Sequence, residues 1–83
     1  MARFIGVHRV SGPAVAEDVM VKAWESYKVA ASKRGMKPVR VAYSAEEGVG
    51  FCETEANSKE EVAAAHQEIN MMPAEIIEVK TSK

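Results

Sequence analysis

Two stretches of this sequence carry helical periodicity, and each is bracketed by short runs in which apolar and polar residues alternate. That order of periods leaves few folds open. From about residue 14 to residue 34, Ala16, Met20, Ala23, Tyr27 and Ala30 recur at three- and four-residue spacing, and Val15 and Val19 widen the stripe. Pro13 suits the first helical position, where its missing N–H costs nothing. Glu17 and Asp18 near the start and Lys33 and Arg34 near the end complement the helix dipole, and Gly35 suits the position just past the end. Trp24 falls at the edge of the stripe, where a partly buried packing role is expected. The second helix opens with Ser58-Lys59-Glu60-Glu61, a capping box, continues through Val62, Ala65, His66 and Ile69, and ends at Asn70 and Pro73.

Between and around these helices lie four short runs of strand character. Phe4 to His8 puts Ile5 and Val7 on one face and Phe4, Gly6 and His8 on the other. Ser11-Gly12-Pro13 then stops this strand. Val39, Val41 and Tyr43 alternate with Pro38, Arg40 and Ala42, and Pro38 points to a sheet edge because proline cannot donate to a ladder. A turn over residues 44–48 leads into Val49 to Glu55, with Val49, Phe51, Glu53 and Glu55 facing away from Gly50, Cys52 and Thr54. Glu75 to Lys80 forms the last strand.

The resulting order is β-α-β-β-α-β, an α+β, ferredoxin-like arrangement over residues 1–83 as one domain. Right-handed crossovers place both helices on one face of a four-stranded antiparallel sheet. The other face then needs a cover, and a second copy of the chain is the simplest one, so a homodimer is expected. Size argues the same way. A chain of 83 residues builds a modest core, and Cys52, its only cysteine, cannot form an intrachain disulfide.

Charge excludes some partners. Eleven Lys and Arg stand against twelve Asp and Glu, for a net charge of −1, and neither sign forms a block. The five aromatics are scattered, without the basic stripe of a nucleic-acid binder, so no nucleic-acid partner is expected. No stretch approaches the roughly 20 apolar residues that span a bilayer, and the first nine residues lack the apolar core of a signal peptide. A soluble, cytoplasmic protein without a membrane partner is the expectation, and a lone thiol fits a reducing compartment.

Few residues are equipped for chemistry. There is no phosphate-binding glycine loop, no CxxC pair and no HExxH helix. His8, Cys52 and His66 remain, with Glu53, Glu55 and Glu78 as helpers. In the expected sheet order the first and third strands are central neighbours, which lets His8 and Cys52 approach each other. Imidazole and thiolate suit zinc, nickel or copper. Each also has a structural reading: His8 as a solvated strand-end residue, His66 as a boundary histidine with a hydrogen-bond partner, Cys52 as a small buried hydrophobe. Glu53 and Glu55 share a face that reads as a solvated surface or dimer rim, and their spacing would also suit a hard cation. Met71-Met72 reads as loop packing.

Phe4-Ile5-Gly6-Val7-His8, Gly50-Phe51-Cys52, Ser58-Lys59-Glu60-Glu61-Val62 leading to His66, and Ile76-Ile77-Glu78-Val79 occur in an order that resembles a small bacterial family of unknown function. That family includes a nickel-binding protein. The resemblance covers nearly the full length, with the first helix least distinctive. It implies a ferredoxin-like fold, a homodimer and binding of nickel or another divalent transition metal, with His8, Cys52 and His66 at positions that carry the family pattern. This chain departs from the pattern at Gly6, where members commonly have an acidic residue. It departs again at Met71-Met72-Pro73, where they often have Gly-His-Pro or Gly-Leu-Pro.

Three functions are therefore in view. The first is a small homodimeric metal-binding protein using His8, Cys52 and His66. The second is a cofactor-free enzyme acting on a small molecule, with His66 as general base and Tyr43 as hydrogen-bond donor. The third is a non-catalytic interaction or regulatory module, in which the three candidate residues would lie apart.

Overall fold

The computed structural model describes residues 1–9 and 17–80. Six elements follow one another: β1 (Ala2–Arg9), α1 (Glu17–Lys33), β2 (Lys37–Ser44), β3 (Val49–Ala56), α2 (Lys59–Glu68) and β4 (Glu75–Val79). The sheet order is β2-β3-β1-β4 with every neighbouring pair antiparallel, which is the ferredoxin-like arrangement expected. β1 and β3 are central, and β2, with Pro38, lies at an edge. A register shift between Pro38 and Arg40 marks an irregularity beside the proline. The expected strand stop at Ser11-Gly12-Pro13 and the first turn of the helix from Ala14 to Ala16 lie outside the described residues.

Local chemistry explains where the helices end. At the C-terminus of α1, Met36 N–H donates to Ala31 O (3.0 Å) and Gly35 N–H to Ser32 O (3.0 Å), with Gly35 at φ +79°. This is a Schellman motif, and it needs the left-handed conformation that glycine adopts without strain. α2 closes the same way, with Asn70 at φ 59°, Met71 N–H donating to His66 O (2.9 Å) and Asn70 N–H to Gln67 O (3.0 Å). At its other end Ser58 Oγ accepts from Glu61 N–H at 3.2 Å, the Ser58 half of the capping box.

Both helices pack on one face of the sheet. Phe4, Tyr27, Ala30, Ala31, Val62 and Ala65 meet there, with the small residues letting helix and sheet approach closely. Val62 is 1% exposed, and a burial of that kind contributes about 1.5–3 kcal/mol. Among the described residues, no helix is long and apolar enough to cross a membrane.

The opposite face carries Ile5, Val7, Phe51 and Ile77, and Phe51 and Ile77 are exposed. One expectation about this face is corrected. Glu53 is not solvated but buried, held by Arg3 Nη1 (2.7 Å) and Arg40 Nε (3.0 Å), while Glu55 accepts from Arg3 Nη2 (2.9 Å). Cross-strand register supplies the cause, setting Arg40 opposite Glu53 and Arg3 opposite Glu55. With their charge met by arginines, these carboxylates make a poor hard-cation site.

Candidate metal centre

Strand register builds the floor of the site. On the helix-covered face Cys52 of β3 stands opposite Gly6 of β1, and His8 of β1 stands opposite Gly50 of β3. Each functional side chain thus faces a residue without one, which leaves room for a second group above it. A Cβ placed on Gly6 would lie 2.7 Å from Cys52 Sγ and 3.5 Å from both Cε1 and Nε2 of His66. Gly6 is therefore the space in which the cluster sits. An acidic residue there, as in the family pattern, would displace the thiol from its present position.

α2 delivers the third group. His66, 1% exposed, points its Nε2 at Cys52 Sγ (3.2 Å), and His8 Nε2 approaches the same sulfur at 3.4 Å. The three donor atoms all lie within 4.8 Å of one another. His66 Nδ1 lies 2.8 Å from Val62 O, one turn earlier on the same helix. A carbonyl can only accept, so Nδ1 carries the proton and Nε2 presents a lone pair to the sulfur.

Tyr27 of α1 clamps the histidine from the other side. Its ring stacks on His66 with centroids 4.2 Å apart and planes 28° apart, and its hydroxyl shares a 2.6 Å hydrogen bond with buried Thr54 Oγ1. The hydroxyl is pushed up to about 12, chiefly by burial. Sequence reasoning placed Tyr27 in the apolar stripe of α1 without assigning it to the site. The usable signal was Thr54, two residues from Cys52 on the same strand face, which needs a buried partner for its hydroxyl.

Burial keeps the trio uncharged. His8 is pushed down to about 4 by desolvation and by neighbouring His66. His66 is also lowered by desolvation, opposed by its bond to the Val62 carbonyl. Burial pushes the Cys52 thiol up to about 11. At neutral pH this is a thiol beside two neutral imidazoles, so Cys52 lacks the thiolate character of a nucleophilic cysteine.

The donor set fits a transition metal ion. Tetrahedral ligation with bonds of about 2.0–2.3 Å separates sulfur and nitrogen ligands by roughly 3.6 Å, close to the 3.2 and 3.4 Å found here. His66 has its far nitrogen anchored to a backbone carbonyl, the outer contact that orients ligating histidines. The thiol proton is the remaining barrier, and a bound cation would displace it.

All three candidate residues are thus brought together, which runs against a module in which they lie apart. The enzymatic reading finds mixed geometry. A cavity does adjoin His66 and is lined in part by Tyr43. However, both nitrogens of His66 are directed at protein atoms, and the Tyr43 hydroxyl donates to Glu17 Oε1 at 2.9 Å.

Residues 4–79 match the family described as SCO4226-like, nickel responsive protein SCO4226-like, and the chain belongs to that family. The crystal structure of SCO4226 from Streptomyces coelicolor A3(2) superposes with a TM-score of 0.87 at 23% identity, covering 99% of this chain and 100% of that one. At that identity the likeness establishes the shared fold. No curated protein matches the chain.

Proposed function

We propose that this member of the SCO4226-like, nickel responsive family binds one nickel or other divalent transition metal ion through His8 Nε2, Cys52 Sγ and His66 Nε2. The observation that carries the reading is the convergence of those atoms within 4.8 Å, with the His66 lone pair oriented by the Val62 carbonyl. Nitrogen and thiolate donors suit nickel, zinc and copper, and the family description favours nickel first. A bound cation would hold Cys52 as thiolate and present a Lewis-acidic centre to the neighbouring cavity.

Calorimetric titration of the chelator-stripped protein with Ni²⁺ and Zn²⁺ tests the proposal. One ion per chain is expected, with at least tenfold loss in each of His8→Ala, Cys52→Ser and His66→Ala. Binding no tighter than that of an exposed histidine, or equal in all four proteins, would falsify it.

The same reading includes a homodimer built on the open sheet face. Exposed Phe51 and Ile77, beside Ile5, support it, as does the small size of the core. Sedimentation equilibrium is expected to give twice the chain mass, and Phe51→Glu to give the monomer. A monomeric wild type at about 100 μM removes this part, since an obligate interface holds at far lower concentrations. A reduced thiol as ligand is consistent with a reducing, cytoplasmic setting.

A further inference from the structure

Beside the trio lies a cavity of about 220 Å³. α1 contributes Met20, Ala23 and Trp24 to its wall, β2 contributes Val41, and the residues after α2 contribute Met71. Among the described residues, no Lys, Arg, Asp or Glu lines it. Its polar end is formed by His8, Cys52 and His66.

Shape and chemistry restrict what such a cavity takes. An apolar cavity of roughly 150 Å³ holds benzene, so this one has room for a single aromatic ring with a few further heavy atoms. Trp24, Tyr27 and Tyr43 offer ring surface, and both tyrosine hydroxyls are already committed, to Thr54 and to Glu17. What they present to a guest is therefore largely carbon, at the polar end of which stands a half-buried imidazole. A charged guest would lose its hydration without meeting a counter-ion. An aliphatic guest of the same size would bury similar area but forgo ring stacking.

We infer that this cavity is a binding site for a small, neutral, single-ring aromatic molecule bearing one hydrogen-bonding substituent, seated with that substituent toward His8 and its ring among Trp24, Tyr27 and Tyr43. The site is complete without a metal ion, so it stands apart from the metal reading.

Titration of the full chain with phenol, cyclohexanol and benzoate, in the presence of chelator, tests the site. Trp24 is the only tryptophan, so its emission, excited at the red edge where phenol does not absorb, reports on the cavity wall. Amide chemical-shift changes locate the guest. Phenol is expected to saturate with a Kd on the order of 1 mM or tighter, cyclohexanol to bind roughly two- to tenfold more weakly, and benzoate not to bind. Ala23→Phe fills the cavity and should abolish phenol binding, while Val29→Ala, on the exposed side of α1 and away from the cavity wall, should leave it unchanged. Met20→Ala supplies an independent arm. By enlarging the cavity it should improve the binding of 2-naphthol relative to phenol at least threefold over wild type. The inference is overturned by no saturable change up to about 10 mM phenol, a concentration at which a millimolar site is nearly full. It is overturned equally by benzoate binding as tightly as phenol, by undiminished binding in folded Ala23→Phe, by loss of binding in Val29→Ala, or by an unchanged 2-naphthol preference in Met20→Ala. Because chelator is present throughout, failure here leaves the metal proposal to its own titration.

Discussion

Replacing Gly6 by alanine perturbs the candidate centre without replacing any of its three donor residues. The new methyl carbon would lie 2.7 Å from Cys52 Sγ, about 0.7 Å short of the 3.4 Å at which ordinary contact begins. The strand pairing of Gly6 with Cys52 in the middle of the sheet holds both backbones, so the side chain must give way. A thiol relieves such a contact by turning about χ1, which carries Sγ out of reach of His66 Nε2, now 3.2 Å away. Overpacking costs about 1–3 kcal/mol. The reduced entropy of the unfolded chain returns about 0.4–1 kcal/mol. The fold should therefore survive, with a loss of roughly 0–2.6 kcal/mol in urea unfolding. Metal binding should not survive intact. Loss of the sulfur as a ligand is expected to weaken Ni²⁺ binding at least 100-fold, about 2.7 kcal/mol, and to remove the near-ultraviolet thiolate-to-nickel absorption band. If folded Gly6→Ala binds within threefold of wild type and keeps the band, the reasoning from strand register to donor geometry is wrong.

Other perturbations have equally definite outcomes. Tyr27→Phe keeps the ring against His66 but leaves Thr54, fully buried, without its 2.6 Å partner, so urea unfolding should show a loss of about 1–3 kcal/mol with metal affinity little changed. Glu53→Gln weakens the pairing with Arg3 and Arg40. Because Arg40 is largely exposed, the loss should be only about 1 kcal/mol and should shrink at high salt. The metal-free protein should lose stability toward both ends of the pH scale. His8, held down near 4, makes the unfolded chain the better proton binder below pH 6.5, so stability falls as pH drops from 6.5 toward 4. Cys52, held up near 11, and Tyr27, held up near 12, make the unfolded chain the better acid above pH 9, so stability falls again from pH 9 upward; Cys52→Ser should remove the loss between pH 9 and 10 and leave the Tyr27 loss above pH 10. Thermal melts across this range check both limbs.

Most of the scaffold was legible in the sequence because it is written in local chemistry. The Ser58 cap, Gly35 at the end of α1, Asn70 at the end of α2 and Pro38 at a sheet edge each act within a few residues, and each sits where its chemistry places it. His8 and Cys52 could be brought together on paper because strand alternation and sheet order suffice for that. The contributions of Gly6 and Tyr27 could not. Gly6 reads as a departure from the family pattern until the register sets it under Cys52 Sγ. Tyr27 reads as one more apolar stripe position until helix packing lays its ring on His66. Glu53 departs from a solvated face for a related reason: alternation gives its face, but only the strand register on both sides brings Arg3 and Arg40 onto it.

Crystals soaked in Ni²⁺ and measured at the nickel absorption edge test the metal centre most directly. An anomalous peak is expected within about 2.0–2.4 Å of Cys52 Sγ, His8 Nε2 and His66 Nε2 together. A well-bound nickel ion elsewhere on the molecule, with no peak between these three atoms, would contradict it.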